Sequence, residues 1–402
     1  MTRTTHANLR EFSILMALLM SVISISIDAL LPALGQVGAD FGVTNPNHAQ
    51  YVISSLFMGM ALGQLVCGPL SDALGRKRLL AWSIVLYLIG SLIGLLARDF
   101  EVLLAGRFIQ GLGVAGPYIS TLSIVRDRHS GRDMARVMSI IMMIFIMAPA
   151  IAPALGQGIL LLGSWRYIFA LYIVYAVAVT LWLTLRLEET LPPEKRMPFT
   201  AGSIIAGFRE VISNRTTTSY MVCIGICFGS FIGYLNSSRQ IFQVQFGTGK
   251  MFTVYFGLLA LIFGVASLLN SRFVERLGMR YICSRSTIGI VAASAVFLAL
   301  HLLVQIQLWM FMAYAGILFF AIGFMFGNLN AIAMEPMAHV AGIASAVIGS
   351  VSSLISMTLG SLIGQLYNNT LVPIVLGFLL LNMLCLAIMK YAEPGERVFQ
   401  EG

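Results

Sequence analysis

The sequence predicts an all-α membrane protein whose twelve transmembrane helices form two pseudo-symmetric six-helix bundles. Three observations carry that prediction: the scarcity of charge, the number of long apolar runs, and a loop that occurs twice. Of 402 residues, 58% are hydrophobic and only 10% charged, against about 25% charged in an ordinary soluble domain. That is too little polar surface to coat a soluble chain of this length, and it excludes disordered, collagenous and disulfide-framework chains. The five cysteines (Cys67, Cys223, Cys227, Cys283 and Cys385) lie in apolar stretches and read as small packing residues. Cys223 and Cys227 sit one helical turn apart, but with no His or carboxylate nearby they do not make a metal pair. No metal or cofactor is expected.

A helix crossing ~30 Å of hydrocarbon needs about 20 mostly apolar residues. Such runs fall at 12–34, 50–69, 79–97, 102–124, 137–161 and 167–185, then at 218–238, 253–271, 281–303, 308–331, 341–366 and 371–391. The first run carries Asp28, is too long for a signal peptide and lacks a small-residue cleavage site, so it is read as span one. A polar stretch separates the two sets of six. This gives an N-terminal bundle over 1–186, a cytoplasmic linker over 187–217 and a C-terminal bundle over 218–402. In the linker, Ile204, Ile205, Phe208, Val211 and Ile212 recur at helical spacing. That fits either a short amphipathic helix on the inner membrane surface or an irregular connection.

Basic residues set the orientation. Twenty Lys and Arg fall on one side of the predicted spans, among them Arg76, Lys77, Arg78, Arg209 and Arg280. Four fall on the other, Arg98, Arg166, Arg239 and Lys250, and Arg107 lies inside span four. The excess places both termini and the linker in the cytoplasm and accounts for the net charge of +8 without a nucleic-acid partner.

The loop after span two reads Gly68-Pro69-Leu70-Ser71-Asp72-Ala73-Leu74-Gly75-Arg76-Lys77-Arg78, and the loop after span eight reads Ser271-Arg272-Phe273-Val274-Glu275-Arg276-Leu277-Gly278-Met279-Arg280. A shift of 203 residues puts Asp72 on Glu275, Gly75 on Gly278 and Lys77 on Arg280. Duplication of a six-helix unit is the natural explanation, and such repeats place substrate sites at their interface.

Twelve spans, a six-plus-six split and this loop resemble the major facilitator superfamily, whose loop signature is Gly-x-Leu-Ser/Ala-Asp-basic-x-Gly-Arg-basic. Only Ala73 departs, where the family prefers a basic residue. Arg107-Phe108-Ile109-Gln110-Gly111-Leu112-Gly113 resembles the Arg-x-x-Gln-Gly-x-Gly of drug:proton antiporters. Ala148-Pro149 and Ala152-Pro153-Ala154-Leu155-Gly156 resemble their span-five motif, Gly-Pro-x-x-Gly-Gly, with Ala152 and Gln157 in place of two glycines. Asp28 with Pro32, Trp165-Arg166-x-x-Phe169, and the run from Ala341 to Ala346 are similar to the Bcr/CflA drug-resistance branch. The resemblance implies an inner gate at Gly68, Asp72, Gly75, Arg76 and Lys77, and an antiporter helix sealed around Pro149, Pro153 and Gly156.

Asp28 is the one carboxylate well inside a predicted span, and with Ser21 and Ser24 it forms a polar stripe on span one. It is read as a proton switch, with Arg107 at similar depth on span four as its expected ionic partner. Ser24, Gln110, Gly111, Tyr118 and Arg239 are read as substrate-cavity residues. Glu335 reads as an interfacial residue or cap, and His129 and His339 as solvated loop residues. The partners implied are protons, the lipid bilayer and a small lipophilic substrate, with a monomer working in a bacterial cytoplasmic membrane. A proton-coupled exporter or importer of an amino acid or sugar would use the same fold. An intramembrane enzyme would need paired catalytic groups at matching depth, and an ATP-driven pump a Gly-x-x-x-x-Gly-Lys-Ser/Thr loop; the sequence has neither.

Overall fold

The computed structural model describes residues 4–129, 131–196 and 201–393. Among these the regular elements are helical: α1 (Thr4–Asp28), α2 (Leu34–Asp40), α3 (Tyr51–Leu74), α4 (Arg76–Leu96), α5 (Phe100–Arg128), α6 (Gly131–Leu160) and α7 (Arg166–Arg186), then α8 (Ala201–Ser213), α9 (Arg215–Arg239), α10 (Phe252–Leu277), α11 (Met279–Leu303), α12 (Leu308–Met334), α13 (Ala341–Gln365) and α14 (Val372–Ala392). Eleven stretches among the described residues are long and apolar enough to cross a membrane. The remaining expected span, the fifth, is α6, where Ala150–Leu160 is a shorter apolar stretch.

Span one is not one helix. α1 stops at Asp28, a 3₁₀ turn covers Leu31–Ala33, and α2 resumes at Leu34. The cause is Pro32, which has no N–H to give the Asp28 carbonyl and so cannot continue the ladder of hydrogen bonds. The linker does hold a helix, α8. It buries Val211 and sets Gly207 against Ile343, while Ile205, Phe208 and Ile212 stay exposed.

The chain divides into two compact units, Met1–Gly42 with Ser55–Ile204, and Val43–Ser54 with Ile205–Gly402. Val43–Ser54 belongs to the second because Asn47 bonds the carbonyls of Gln365 and Tyr367 at 3.0 and 2.8 Å and accepts from Gln240 at 2.7 Å. Packing inside the first unit is repeated inside the second. α1 contacts α5, α6 and α7 as α9 contacts α12, α13 and α14, and α4 contacts α5 and α7 as α11 contacts α12 and α14.

Single contacts repeat as well. Gly75 and Gly278, 203 residues apart, each take a left-handed turn ahead of a helix, with φ of 97° and 77°. Gln110 on α5 donates to Ser91 on α4 at 2.8 Å, and 203 or 204 residues on, Tyr314 on α12 meets Ser294 on α11 at 2.9 Å. Gly156 on α6 lies against the Ala29 carbonyl, and Gly360 on α13 lies against Ile232.

α6 is one helix through Pro149 and Pro153; the Pro149 side chain lies outside the described residues. A Cβ on Gly156 would overlap the Ala29 carbonyl oxygen, next to Asp28, whereas one on Gly158 would meet nothing within 4 Å. Gly156→Val is therefore expected to destabilise the protein by roughly 1–3 kcal/mol through overpacking, and Gly158→Val to leave it unchanged. Thermal unfolding of the two variants in detergent checks this.

Candidate functional site

The polar centre of the first unit forms where α1 ends. The last carbonyls of a helix lack intrahelical donors and carry partial negative charge. Arg107, with no exposed surface, reaches across from α5 and donates to the Ser26 carbonyl at 2.9 Å. Tyr172 on α7 donates to the same oxygen at 3.2 Å. The guanidinium also donates to Gln110 at 2.6 Å and lies 5.9 Å from the Phe169 ring centroid. The Ser26 hydroxyl donates to the Val22 carbonyl at 2.6 Å and meets the Tyr87 hydroxyl at 2.7 Å. Ser91 donates to the Tyr87 carbonyl at 2.7 Å and accepts from Gln110, so α1, α4, α5 and α7 share one buried network.

Asp28 closes α1 beside this network and is 4% exposed. The expected Asp28–Arg107 ion pair is not formed; among the described residues no ion pair includes Asp28. Arg107 is committed to the backbone end of the same helix. Sequence depth matches the two residues correctly but cannot show that Pro32 ends α1 there and creates a second acceptor. Ser21 bonds Tyr175 at 2.6 Å and the Leu18 carbonyl at 2.8 Å, and Ser24 is buried on the same stripe.

Two expected cavity residues have packing surroundings instead. Gly111 is where α5 closes on α3, since a Cβ there would overlap the Leu56 carbonyl, and Gly59 and Gly63 on α3 approach Phe108 and Leu112 in the same way. Tyr118 is half-buried against a cluster of Cys67, Leu79, Ala115 and Ile119. Arg239, in the last turn of α9, is half-buried, with no hydrogen-bond partner at Nε.

The loop motif assembles into a clamp inside the first unit. Arg76 pairs with Asp72 at 2.5 Å and with Asp127, near the end of α5, at 3.0 Å, and bonds the Ser71 hydroxyl at 2.9 Å. Glu189, just past α7, accepts from the Arg76 and Lys77 backbone N–H groups at 2.9 and 3.2 Å and so caps α4. A Cβ on Gly75 would meet this carboxylate at 2.5 Å. Lys77 donates to the Leu187 and Thr184 carbonyls at 2.8 and 3.2 Å, capping α7 in return. Gly68 is buried in α3 ahead of Pro69. In the second unit Arg280 bonds Glu335 at 2.8 Å and Glu393 at 2.5 Å.

Asp127, Glu189, Glu335 and Glu393 thus carry the clamps. Sequence alone leaves the first, second and fourth unassigned and reads Glu335 as a cap or interfacial residue. Their one signal is position, each close to a helix end on the side rich in basic residues. At the other end, Asp40 on α2 accepts from Trp165 at 2.7 Å and pairs with Arg166 at 3.4 Å, which gives the Trp-Arg motif a holding role. His129 is half-buried and packs its ring 5.0 Å from Phe12 rather than standing in solvent; the His339 side chain lies outside the described residues.

Two variants test these assignments by unfolding in detergent. Arg107→Gln removes a charged donor and orphans buried acceptors, at about 1–3 kcal/mol for each group left unpaired. Glu189→Ala uncaps α4 and is expected to cost about 0.5–2 kcal/mol.

Comparison with known proteins agrees with this architecture. The profile of the Major Facilitator Superfamily matches residues 15–361. An MFS-type transporter of Bacillus subtilis, YdgK, is 28% identical over 358 residues, covering 87% of each chain. The bicyclomycin resistance protein homolog of Haemophilus influenzae is 26% identical over 354 residues, covering 86% of this chain and 87% of its own. The xylose transporter XylE from E. coli, in a partially occluded inward-open conformation, has the same fold, with a TM-score of 0.70 at 13% identity over 96% of this chain and 98% of its own. The chain belongs to the major facilitator superfamily: it is a multi-pass membrane transporter, not an enzyme.

Proposed function

We propose that the protein exports small lipophilic compounds from a bacterial cell in exchange for protons, by alternating access, with Asp28 as the proton-binding group. It works as a monomer in the cytoplasmic membrane with both termini in the cytoplasm. The observation that carries the reading is a carboxyl group 4% exposed and in no ion pair among the described residues, at the end of a helix broken in mid-span. Charge at that depth is expensive, so the neutral and ionised forms favour different surroundings. Protonation at Asp28 favours one orientation, and substrate binding with deprotonation favours the other. The membrane potential adds ~2.3 kcal/mol per charge moved through 100 mV. A relative named for bicyclomycin resistance and relatives named MdtL, multidrug resistance proteins 26% identical to this chain, support the export reading.

Purified protein in liposomes is expected to move protons when a lipophilic compound is supplied. Asp28→Asn should abolish that coupling while the protein still folds. Undiminished proton-driven flux in the variant would remove Asp28 from the mechanism.

A further inference from the structure

The most buried helix of the second unit keeps three residues of one face half-buried, on either side of the buried Leu235. α9 packs against α12, α13 and α14, and from Ser219 to Arg239 only Val222, Phe228, Phe231 and Arg239 are not buried. Phe228, Phe231 and Arg239 share a face, with Leu235 between them at i, i+3, i+7 and i+11 spacing. The stripe runs ~16 Å along the helix.

Its lower part is aromatic. Phe228 lies 4.7 Å from Phe326, and Phe231 packs edge-on to Phe319 at 5.3 Å, so α9 and α12 present a joined wall. A Cβ on Gly327, next to Phe326, would meet nothing within 4 Å.

Its upper end is a cation without an acid. Arg239 Nε is buried with no hydrogen-bond partner, and no ion pair among the described residues includes Arg239. The described carboxylates of this unit are Glu210, Glu275, Glu335 and Glu393. Glu393 bonds Tyr220, near the other end of α9 and ~28 Å along it from Arg239. Glu275 is in the last turn of α10, which runs back towards that same far end, and Glu335 joins Glu393 on Arg280. The buried Nε is an unmet donor, and an anionic group is the acceptor that would bond a guanidinium most strongly.

We propose that this face of α9 binds lipophilic aromatic compounds that carry a negatively charged group: the Phe228–Phe231–Phe326 wall takes the ring and Arg239 takes the anion. The proposal names a substrate class for the exporter reading and rests on that reading only for the transport step after binding. Binding to purified protein without a gradient therefore tests it apart from transport.

The probes are 2-naphthoate and its uncharged analogue 2-naphthamide, titrated calorimetrically at pH 7 into protein in a nonionic detergent. Wild type is expected to prefer the carboxylate about tenfold or more, the range open to a charge-assisted hydrogen bond. Arg239→Gln should bind both probes equally, Arg239→Lys should keep part of the preference, and Lys250→Gln should keep all of it. Phe231→Ala should weaken both probes alike. Equal binding by wild type, or full preference in Arg239→Gln, overturns the proposal. So does loss of the preference on adding phosphatidylglycerol but not phosphatidylcholine, which would assign Arg239 to lipid phosphate.

Discussion

The bond from Arg107 to the Ser26 carbonyl is the contact on which the first unit's polar interior depends. A guanidinium in hydrocarbon must be neutralised or fully hydrogen-bonded, and a carboxylate is the usual means. Here the acceptor is a helix terminus. Pro32 stops α1 at Asp28, the last turn is left with carbonyls to satisfy, and Arg107 and Tyr172 satisfy one of them from two other helices. The negative end of the helix dipole meets a positive charge. Asp28 is left beside this network and takes part in no ion pair among the described residues.

The duplicated halves show that this arrangement is an addition to the common plan. Gly75 and Gly278 turn the chain alike, Ser91 and Ser294 each bond a side chain of the next helix, and Gly156 and Gly360 press on equivalent positions, Ala29 just past α1 and Ile232 in α9. The position equivalent to Pro32 is Leu235, and α9 accordingly continues to Arg239. The position equivalent to Asp28 is Phe231. One half placed a titratable group on its central helix and the other placed an aromatic wall.

Much of this is legible in the chain itself. Long apolar runs locate the spans because hydrocarbon thickness fixes their length, and the repeated loop announces the duplication. Asp28 and Arg107 stand out because charge inside a span is rare. The choice Arg107 makes between two nearby acceptors is hidden, because it turns on a backbone carbonyl, and every residue has one. Gly111 shows a related limit: the motif marks it, but only the facing carbonyl of Leu56 shows that close helix approach requires a glycine there. Asp127 and Glu189 lie 51 and 113 residues from Arg76 in sequence, and composition has no means of pairing groups so far apart.

Charge in this molecule is sorted by depth, and the sorting bears on how pH could reach its interior. The clamps on Arg76 and Arg280 use ionised groups at helix ends, and the pairing lets Arg76 and Glu393 be held largely out of water. Between the ends, Arg107 apart, many of the described contacts are made by neutral groups: Ser26 with Tyr87, Gln110 with Ser91, Ser294 with Tyr314, and Asn270 with Asn328. Hydroxyls and amides hold their hydrogen bonds unchanged across the physiological pH range. Arg107 keeps its charge over the same range. On the reading proposed above, a proton arriving in the middle of the first unit meets hydroxyls and amides that do not titrate, and Asp28 is the group proposed to take it up.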